Sequence, residues 1–365
     1  MNPSPTTYLE IHTEAIRHNY RKIRSLTGSG TRLMAVVKAF AYGHDDIAVA
    51  RVLEAEKTGY FAVAYLDEGI RLRKAGIRTP ILVLHPQLEP PGLYAEYRLE
   101  PNIYNRRTLN TFAEFLSGEH ISLPIHIKFN TGLNRLGFSA EETGEIFEII
   151  NRHRLHIASV FSHLAASEDP AERAFSLGQI KQYLDIVRRI RRVYDRPFIR
   201  HICNTSGVFH YPEAHFDMVR VGIGLYGYAN RPEWTKELKI AGILKSKISQ
   251  IHRLKAGEPV GYNRAYIADK PIRTATIPIG HADGIPRSWG NGKGYVRIAG
   301  RKAPILGNVC MDMIMVEVTG IECNEGDEVV VFDRQETVED LARRTHTISY
   351  EIITGITRRV KRVII

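Results

Sequence analysis

The sequence predicts an α/β protein: an N-terminal (β/α)8 TIM-like barrel over residues 10–232, followed by a mainly β domain over residues 235–365. Three observations carry this. Eight short apolar runs recur through the first part of the chain. Amphipathic stretches of helical period separate most of them. After Ala229-Asn230-Arg231-Pro232-Glu233 the pattern changes to alternating strands with Gly-rich turns.

The eight runs, each short enough for a buried parallel strand, are Leu33 to Lys38, Tyr60 to Ala64, Ile81 to Leu84, Glu100 to Tyr104, Ile125 to Lys128, His156 to Phe161, Phe198 to Ile202 and Met218 to Val221. Helices are expected over Asp46 to Glu56, Glu68 to Ala75, Asn105 to Leu116 and Glu141 to Arg152. The β domain is marked by Val260-Gly261-Tyr262, Gly290-Asn291-Gly292-Lys293-Gly294 and Ala299-Gly300-Arg301-Lys302. The 365 residues, 44% hydrophobic and 25% charged, suffice for two sizeable cores.

Several function classes are disfavoured. The N-terminal Met1 to Thr7 stretch lacks a basic-then-apolar signal pattern, and no apolar run approaches membrane-spanning length, so a soluble cytoplasmic protein is expected. Cys203, Cys310 and Cys323 are too few and too widely spaced for a disulfide framework or a zinc site, and no metal is expected. The formal charge of +10 draws on Arg188, Arg189, Arg191 and Arg192. Their helix, Ile180 to Val193, sets Leu184, Val187, Ile190 and Val193 on a buried stripe, which makes the arginines a solvated face rather than a nucleic-acid site. Attraction of anionic small molecules is the better use of the charge.

Barrel active sites gather at the C-terminal ends of the strands. There the first run ends in Lys38, the fifth in Lys128 with Arg135 in the following loop, the sixth in His163, and the seventh in Asn204 and Thr205; the eighth carries Arg220 and runs into Gly222-Ile223-Gly224. A lysine delivered by an apolar strand has its ammonium form penalised by desolvation, which suits a Schiff-base amine. Thr205, Gly222 and Ile223 have the character of a phosphate cradle. The segment Gly222-Ile223-Gly224-Leu225-Tyr226-Gly227 also matches the dinucleotide fingerprint, but it comes after the last barrel strand instead of opening a first βαβ unit. An amine, a phosphate cradle, an arginine and a histidine on one rim point to pyridoxal 5'-phosphate.

The run Ala35-Val36-Val37-Lys38-Ala39-Phe40-Ala41-Tyr42-Gly43 resembles the cofactor-lysine motif of alanine racemases, the fold type III pyridoxal phosphate enzymes. Lys128 to Gly137, Ser162 to Ala165, Met218 to Ile223, Val260-Gly261-Tyr262, Ile279 to Gly284 and Cys310 to Met313 resemble further family segments in family order. The resemblance implies a head-to-tail homodimer that converts L- to D-alanine for peptidoglycan. Each barrel's site is completed by the partner's β domain.

It further implies that Lys38 and the partner's copy of Tyr262 are the two acid/base groups, with His163 and Arg220 as their supporting network and Arg220 facing the pyridine nitrogen. Arg135 and the Met311 backbone N–H would meet the substrate carboxylate. Tyr42, Thr205, Gly222 and Ile223 would hold the phosphate, with Asn204 beside them. Lys128 matches the family lysine open to carbamylation, which would neutralise and orient Arg135; a plain salt bridge is the alternative reading.

Four positions depart from the family pattern. His281 stands where a tyrosine usually lines the site entrance from the partner subunit, which leaves substrate range open. Arg358 falls where some relatives place a phosphate-binding tyrosine, Asn130 replaces a frequent aspartate, and Leu133 replaces a frequent methionine. The competing readings are a broader amino-acid racemase acting on serine, a fold type III decarboxylase, and a pyridoxal phosphate carrier without turnover.

Overall fold

The computed structural model describes residues 6–87, 89–335 and 337–365. The chain forms two compact units. One holds residues 16–41 and 46–238, and the other holds residues 42–45 and 239–365 together with the N-terminal segment through Ala15.

In the first unit all eight predicted runs become strands: β2 (Arg32–Val36), β3 (Tyr60–Val63), β4 (Ile81–Val83), β5 (Glu100–Ile103), β6 (Ile125–Lys128), β7 (Ile157–Phe161), β8 (Ile199–His201) and β9 (Met218–Val221). They pair in parallel from β2 through β8, and β9 pairs with β2. Asp217 N–H donates to the Arg200 carbonyl at 3.2 Å and Arg220 N–H to the Cys203 carbonyl at 3.0 Å. Those bonds bring β9 against β8 and leave a nearly closed eight-stranded barrel. Every residue of β3, β4, β5 and β6 is buried, as a parallel sheet covered on its outer face requires.

Helices fall close to expectation at Asp46–Ala55, Leu66–Lys74, Arg106–Gly118 and Thr143–Arg152. Asn105 caps the third, its side-chain oxygen accepting the Thr108 N–H at 2.8 Å. The arginine-rich helix runs Arg173–Ile190, earlier at both ends than predicted. Its buried stripe uses Ile180, Tyr183, Ile186, Val187 and Ile190, whereas Val193 lies beyond the helix and is exposed. Arg188, Arg189, Arg191 and Arg192 are exposed, as expected.

The second unit is mainly β. The N-terminal strand β1 (Tyr8–Ile11) pairs antiparallel with β10 (Gly242–Lys247) and parallel with the last strand, β19 (Lys361–Ile364). The sheet continues through β18 (Glu328–Phe332), β15 (Tyr295–Ile298), β16 (Arg301–Leu306), β17 (Ile314–Glu317), β14 (Ile272–Ile277) and β11 (Gln250–Leu254). A short antiparallel pair, β12 (Pro259–Val260) with β13 (Tyr266–Ile267), frames the turn that carries Tyr262.

Candidate active site

Strand β2 ends at Val36, so Lys38 does not close the strand as predicted; it opens a turn over Lys38–Gly43. That turn is left-handed. Ala39, Phe40, Ala41 and Tyr42 have φ between 51° and 56°, and Gly43 has φ 82°. Left-handed helical backbone costs an L-residue roughly 1–2 kcal/mol, so four in succession must be held by their surroundings. The Glu68 carboxylate accepts the Ala39 N–H at 2.7 Å and the Ala64 N–H at 2.6 Å, and the Arg71 guanidinium lies 4.8 Å from the Phe40 ring centroid. At the other end Arg362 donates to the carbonyls of Gly43, His44, Ile356, Thr357 and Val360. A Cβ on Gly43 would lie 1.9 Å from the Ile353 carbonyl oxygen, so only glycine fits.

Around Lys38 the barrel rim gathers the predicted cations. Burial and the nearby Arg135 charge lower the Lys38 pKa, and Glu68 opposes them. Lys128, buried at the end of β6, is pushed down to about 7 by desolvation and then by Arg135, Arg220 and Lys38. Arg135 sits in a loop that folds back on itself, Phe138 N–H donating to the Lys128 carbonyl and Asn130 N–H to the Phe138 carbonyl. Asn130 organises the loop tip by accepting the Gly132 and Asn134 N–H groups and donating from Nδ2 to Asn134 Oδ1 at 2.8 Å. An aspartate could not make that last bond.

Arg220, on β9, is buried and donates from Nη2 to His163 Nδ1 at 3.0 Å and to the Ser162 carbonyl at 2.8 Å. Its Nη1 donates to His201 Nδ1 at 2.7 Å. Desolvation pushes its pKa down to about 10, which leaves it cationic at neutral pH. Burial and the Arg220, Lys128, Arg135 and Lys38 charges hold His163 well below the ordinary histidine value. A neutral imidazole whose Nδ1 accepts from arginine carries its proton on Nε2.

Thr205 Oγ1 accepts the Gly222 N–H at 3.1 Å, tying together the loops after β8 and β9. Asn204 caps the helix Thr205–His210, accepting the Gly207 N–H at 2.9 Å, and also accepts from Ser167. Ile223 opens a short 3-10 turn, Ile223–Tyr226, so the glycine fingerprint leads into no α-helix.

The remaining candidates lie in the second unit. Tyr42 is buried with its ring centroid 6.0 Å from that of Tyr350, and burial raises its hydroxyl pKa far above the usual value. Tyr262 is 72% exposed and Met311 59% exposed. They line one cavity of about 620 Å³ together with His252, Cys310, Met313 and Met315. His281, also exposed, is held beside them: its N–H donates to the Cys310 carbonyl at 2.9 Å, and the Ala282 N–H donates to the Met311 carbonyl at 3.0 Å. Gly280 permits this approach, since a Cβ there would lie 2.3 Å from the Met311 oxygen. Arg359, to which sequence reading assigned no role, pairs with Asp283 at 3.0 Å and Asp312 at 2.7 Å and so pins the two segments together. Arg358 is exposed in the turn before β19.

Residues 11–230 match the family model of the alanine racemase N-terminal domain, and residues 241–364 match that of the C-terminal domain. The chain belongs to the alanine racemase family. Alanine racemase of Carboxydothermus hydrogenoformans is 38% identical over 365 residues, covering 98% of each chain. Among solved structures, alanine racemase from Streptomyces lavendulae superposes with a TM-score of 0.94 at 30% identity, covering 99% of this chain and 98% of the other. The Bartonella henselae alanine racemase, solved with covalently bound pyridoxal phosphate, gives a TM-score of 0.91 at 28% identity, covering 99% of this chain and all of the other. As a member of the alanine racemase family, the chain is an isomerase acting on amino acids. Within this racemase fold, sequence reading passed over Glu68 and Arg362, which hold the lysine turn at either end, and the buried polar residues Glu100, His126, Ser159 and His201. The last four could have been noticed as polar residues breaking otherwise apolar barrel strands.

Proposed function

We propose that the chain interconverts L- and D-alanine with pyridoxal 5'-phosphate, by proton transfer from two groups on opposite faces of the α-carbon, and so supplies D-alanine for peptidoglycan in the cytoplasm. The observation that carries this reading is the crowd of cations around Lys38. The Arg135 charge helps to lower the pKa of Lys38, Lys128 and Arg220, and Arg220 and Lys38 add to the effect at Lys128, a site that calls for anions. An anionic phosphate, a phenolate and a substrate carboxylate meet that demand, so the residues fit the cofactor. When bound, pyridoxal phosphate supplies an aldehyde for amines and a conjugated ring that takes up the electron pair left by α-proton removal.

The protein's own residues do the rest. Lys38, its pKa lowered, offers a free amine for attachment and then carries a proton at Nζ on one face. Tyr262 of a partner subunit carries a proton at its phenolic oxygen on the other face. Arg220 would face the pyridine nitrogen, where a permanent cation discourages ring protonation and biases chemistry toward racemisation. His163, neutral and oriented by Arg220, supports the tyrosine. Arg135 and the Met311 N–H would receive the carboxylate. Tyr42, Thr205, Gly222 and Ile223 would hold the phosphate, with Asn204 shaping their loop and Arg358 as an added cation. The homodimer is supported by Tyr262, Ile267, Met311 and Met313, large apolar side chains that the single chain leaves exposed.

The test is enantiomer analysis after incubating protein and pyridoxal phosphate with L-alanine or L-serine in deuterated water. D-alanine bearing α-deuterium, formed faster than D-serine, is expected. Fast D-serine with little D-alanine would assign the substrate to the entrance altered by His281, and no D-product would overturn the racemase reading.

A further inference from the structure

A continuous file of buried polar groups runs through the barrel interior beneath the rim. Arg220 Nη1 meets His201 Nδ1 at 2.7 Å; His201 Nε2 meets Ser159 Oγ at 2.8 Å; Ser159 Oγ meets His126 Nδ1 at 2.6 Å; and His126 Nε2 meets Glu100 Oε2 at 2.7 Å. His201, Ser159 and His126 are wholly buried, and Arg220 and Glu100 are 4% and 8% exposed. Glu100 begins β5 whereas Arg220 lies near the C-terminal end of β9, so in a parallel barrel the file spans from base to rim. Barrel interiors are ordinarily filled by branched apolar side chains, and a buried carboxylate is costly unless fully paired.

The donor and acceptor inventory gives the file one direction. A guanidinium only donates, so His201 Nδ1 must be the bare nitrogen. Burial and Arg220 keep His201 from protonating, so its single proton is on Nε2 and goes to Ser159. The serine hydroxyl then donates to His126 Nδ1, His126 carries its proton on Nε2, and that proton meets the carboxylate of Glu100, which only accepts. All four bonds are satisfied with both histidines neutral, each hydrogen lying between one donor and one acceptor. Phe161 holds the geometry, its ring stacked on His201 at 4.8 Å with an interplanar angle of 4°, and 5.3 Å from the Arg220 guanidinium carbon.

We propose that Glu100, at the opposite end of the barrel from the rim, is a positioning residue for Arg220: its carboxylate is the terminal acceptor for the His126 Nε2–H, which leaves His126 Nδ1 bare for the Ser159 hydroxyl and so holds Ser159, His201 and the guanidinium in line. The inference rests on the role proposed above for Arg220 toward the cofactor.

Nitrogen-15 NMR of histidine-labelled apoenzyme and holoenzyme reads the tautomers directly. In the wild type, His126 and His201 are expected as Nε2–H forms. Glu100→Gln keeps the volume but can donate as well as accept, so His126 becomes a tautomer mixture while the guanidinium keeps His201 in its Nε2–H form, kcat falls about tenfold and KM for alanine stays within about twofold. Ser159→Ala cuts the file in its middle: both tautomers stay as in wild type, Glu100 fixing that of His126 and Arg220 that of His201, while kcat falls as in Glu100→Gln. This smaller substitution carries the test if Glu100→Gln folds poorly. An unchanged His126 tautomer in Glu100→Gln, or wild-type kcat in either variant, would overturn the assignment of Glu100. Arg220→Lys with wild-type cofactor absorption and turnover would instead overturn the Arg220 reading on which it rests.

Discussion

Arg220 Nη2 donates to Nδ1 of His163 across 3.0 Å, and that bond decides which nitrogen of the imidazole remains available. The same guanidinium holds His201, so both histidines are kept neutral by desolvation and then by the Arg220 charge, with Lys128, Arg135 and Lys38 adding to it at His163. Their folded pKa values lie below the ordinary 6.5, so protons bind the unfolded chain more readily. Stability from this source is therefore complete above about pH 6.5 and is lost progressively as pH falls below it. Thermal melts of the apoenzyme should drop between about pH 7 and pH 5, and less steeply for His201→Gln; parallel profiles would contradict this.

Lys128 titrates in the opposite range. With its pKa pushed down to about 7 from 10.5, the folded state disfavours its cation, and the cost is full below about pH 7 and fades toward the ordinary lysine value. Lys128→Met should raise the melting temperature at neutral pH, with the advantage shrinking as pH approaches 10.5. The free amine present near pH 7 is also the nucleophile that adds to carbon dioxide, losing a proton to give the carbamate, so carbon-13 bicarbonate should give a carbamate resonance that Lys128→Gln lacks.

Tyr262→Phe separates chemistry from folding. A side chain 72% exposed in the single chain contributes little to its stability, so unfolding should shift by less than about 0.5 kcal/mol. Turnover should fall about 10²–10⁴-fold if the phenolic oxygen transfers the proton. A variant with wild-type kcat would remove Tyr262 from the mechanism.

The clamp on the lysine turn is testable by unfolding. Arg362→Ala deprives five carbonyl oxygens of their charged donor, and a loss of about 2–4 kcal/mol is expected in denaturant titrations. Gly43→Ala should be at least as damaging, because its methyl group would overlap the Ile353 carbonyl.

His281→Tyr tests specificity. Its neighbours Cys310 and Met311 belong to the segment assigned to the substrate carboxylate, so the alanine-to-serine ratio of kcat/KM should move by about an order of magnitude. An unchanged ratio would show that the imidazole does not discriminate.

The eight barrel strands and the polar residues at their ends were legible in the sequence because strand length, apolarity and the residues just beyond a strand's end are local properties. Lys38, Lys128, His163 and Arg220 could be assigned to one rim without coordinates, since a parallel barrel sends all its strand ends to the same side. Local pattern failed where distant groups override propensity. Nothing in Ala39-Phe40-Ala41-Tyr42 favours left-handed backbone; Glu68 and Arg362, held by other elements, impose it. The helix stripe through Tyr183 and Ile186 was misread because a continuous mixture of apolar and basic residues admits more than one buried face.

By itself, then, the order of residues determined which elements form, which strand ends carry cations, and which family the motifs resemble. Only the tertiary structure decided that β1 joins β10 and β19, more than two hundred residues away, and that Glu100, His126, Ser159 and His201 meet in one file. A strand's own sequence states which residues alternate along it, but its hydrogen-bonding partners across the barrel are chosen by the packing of every strand at once.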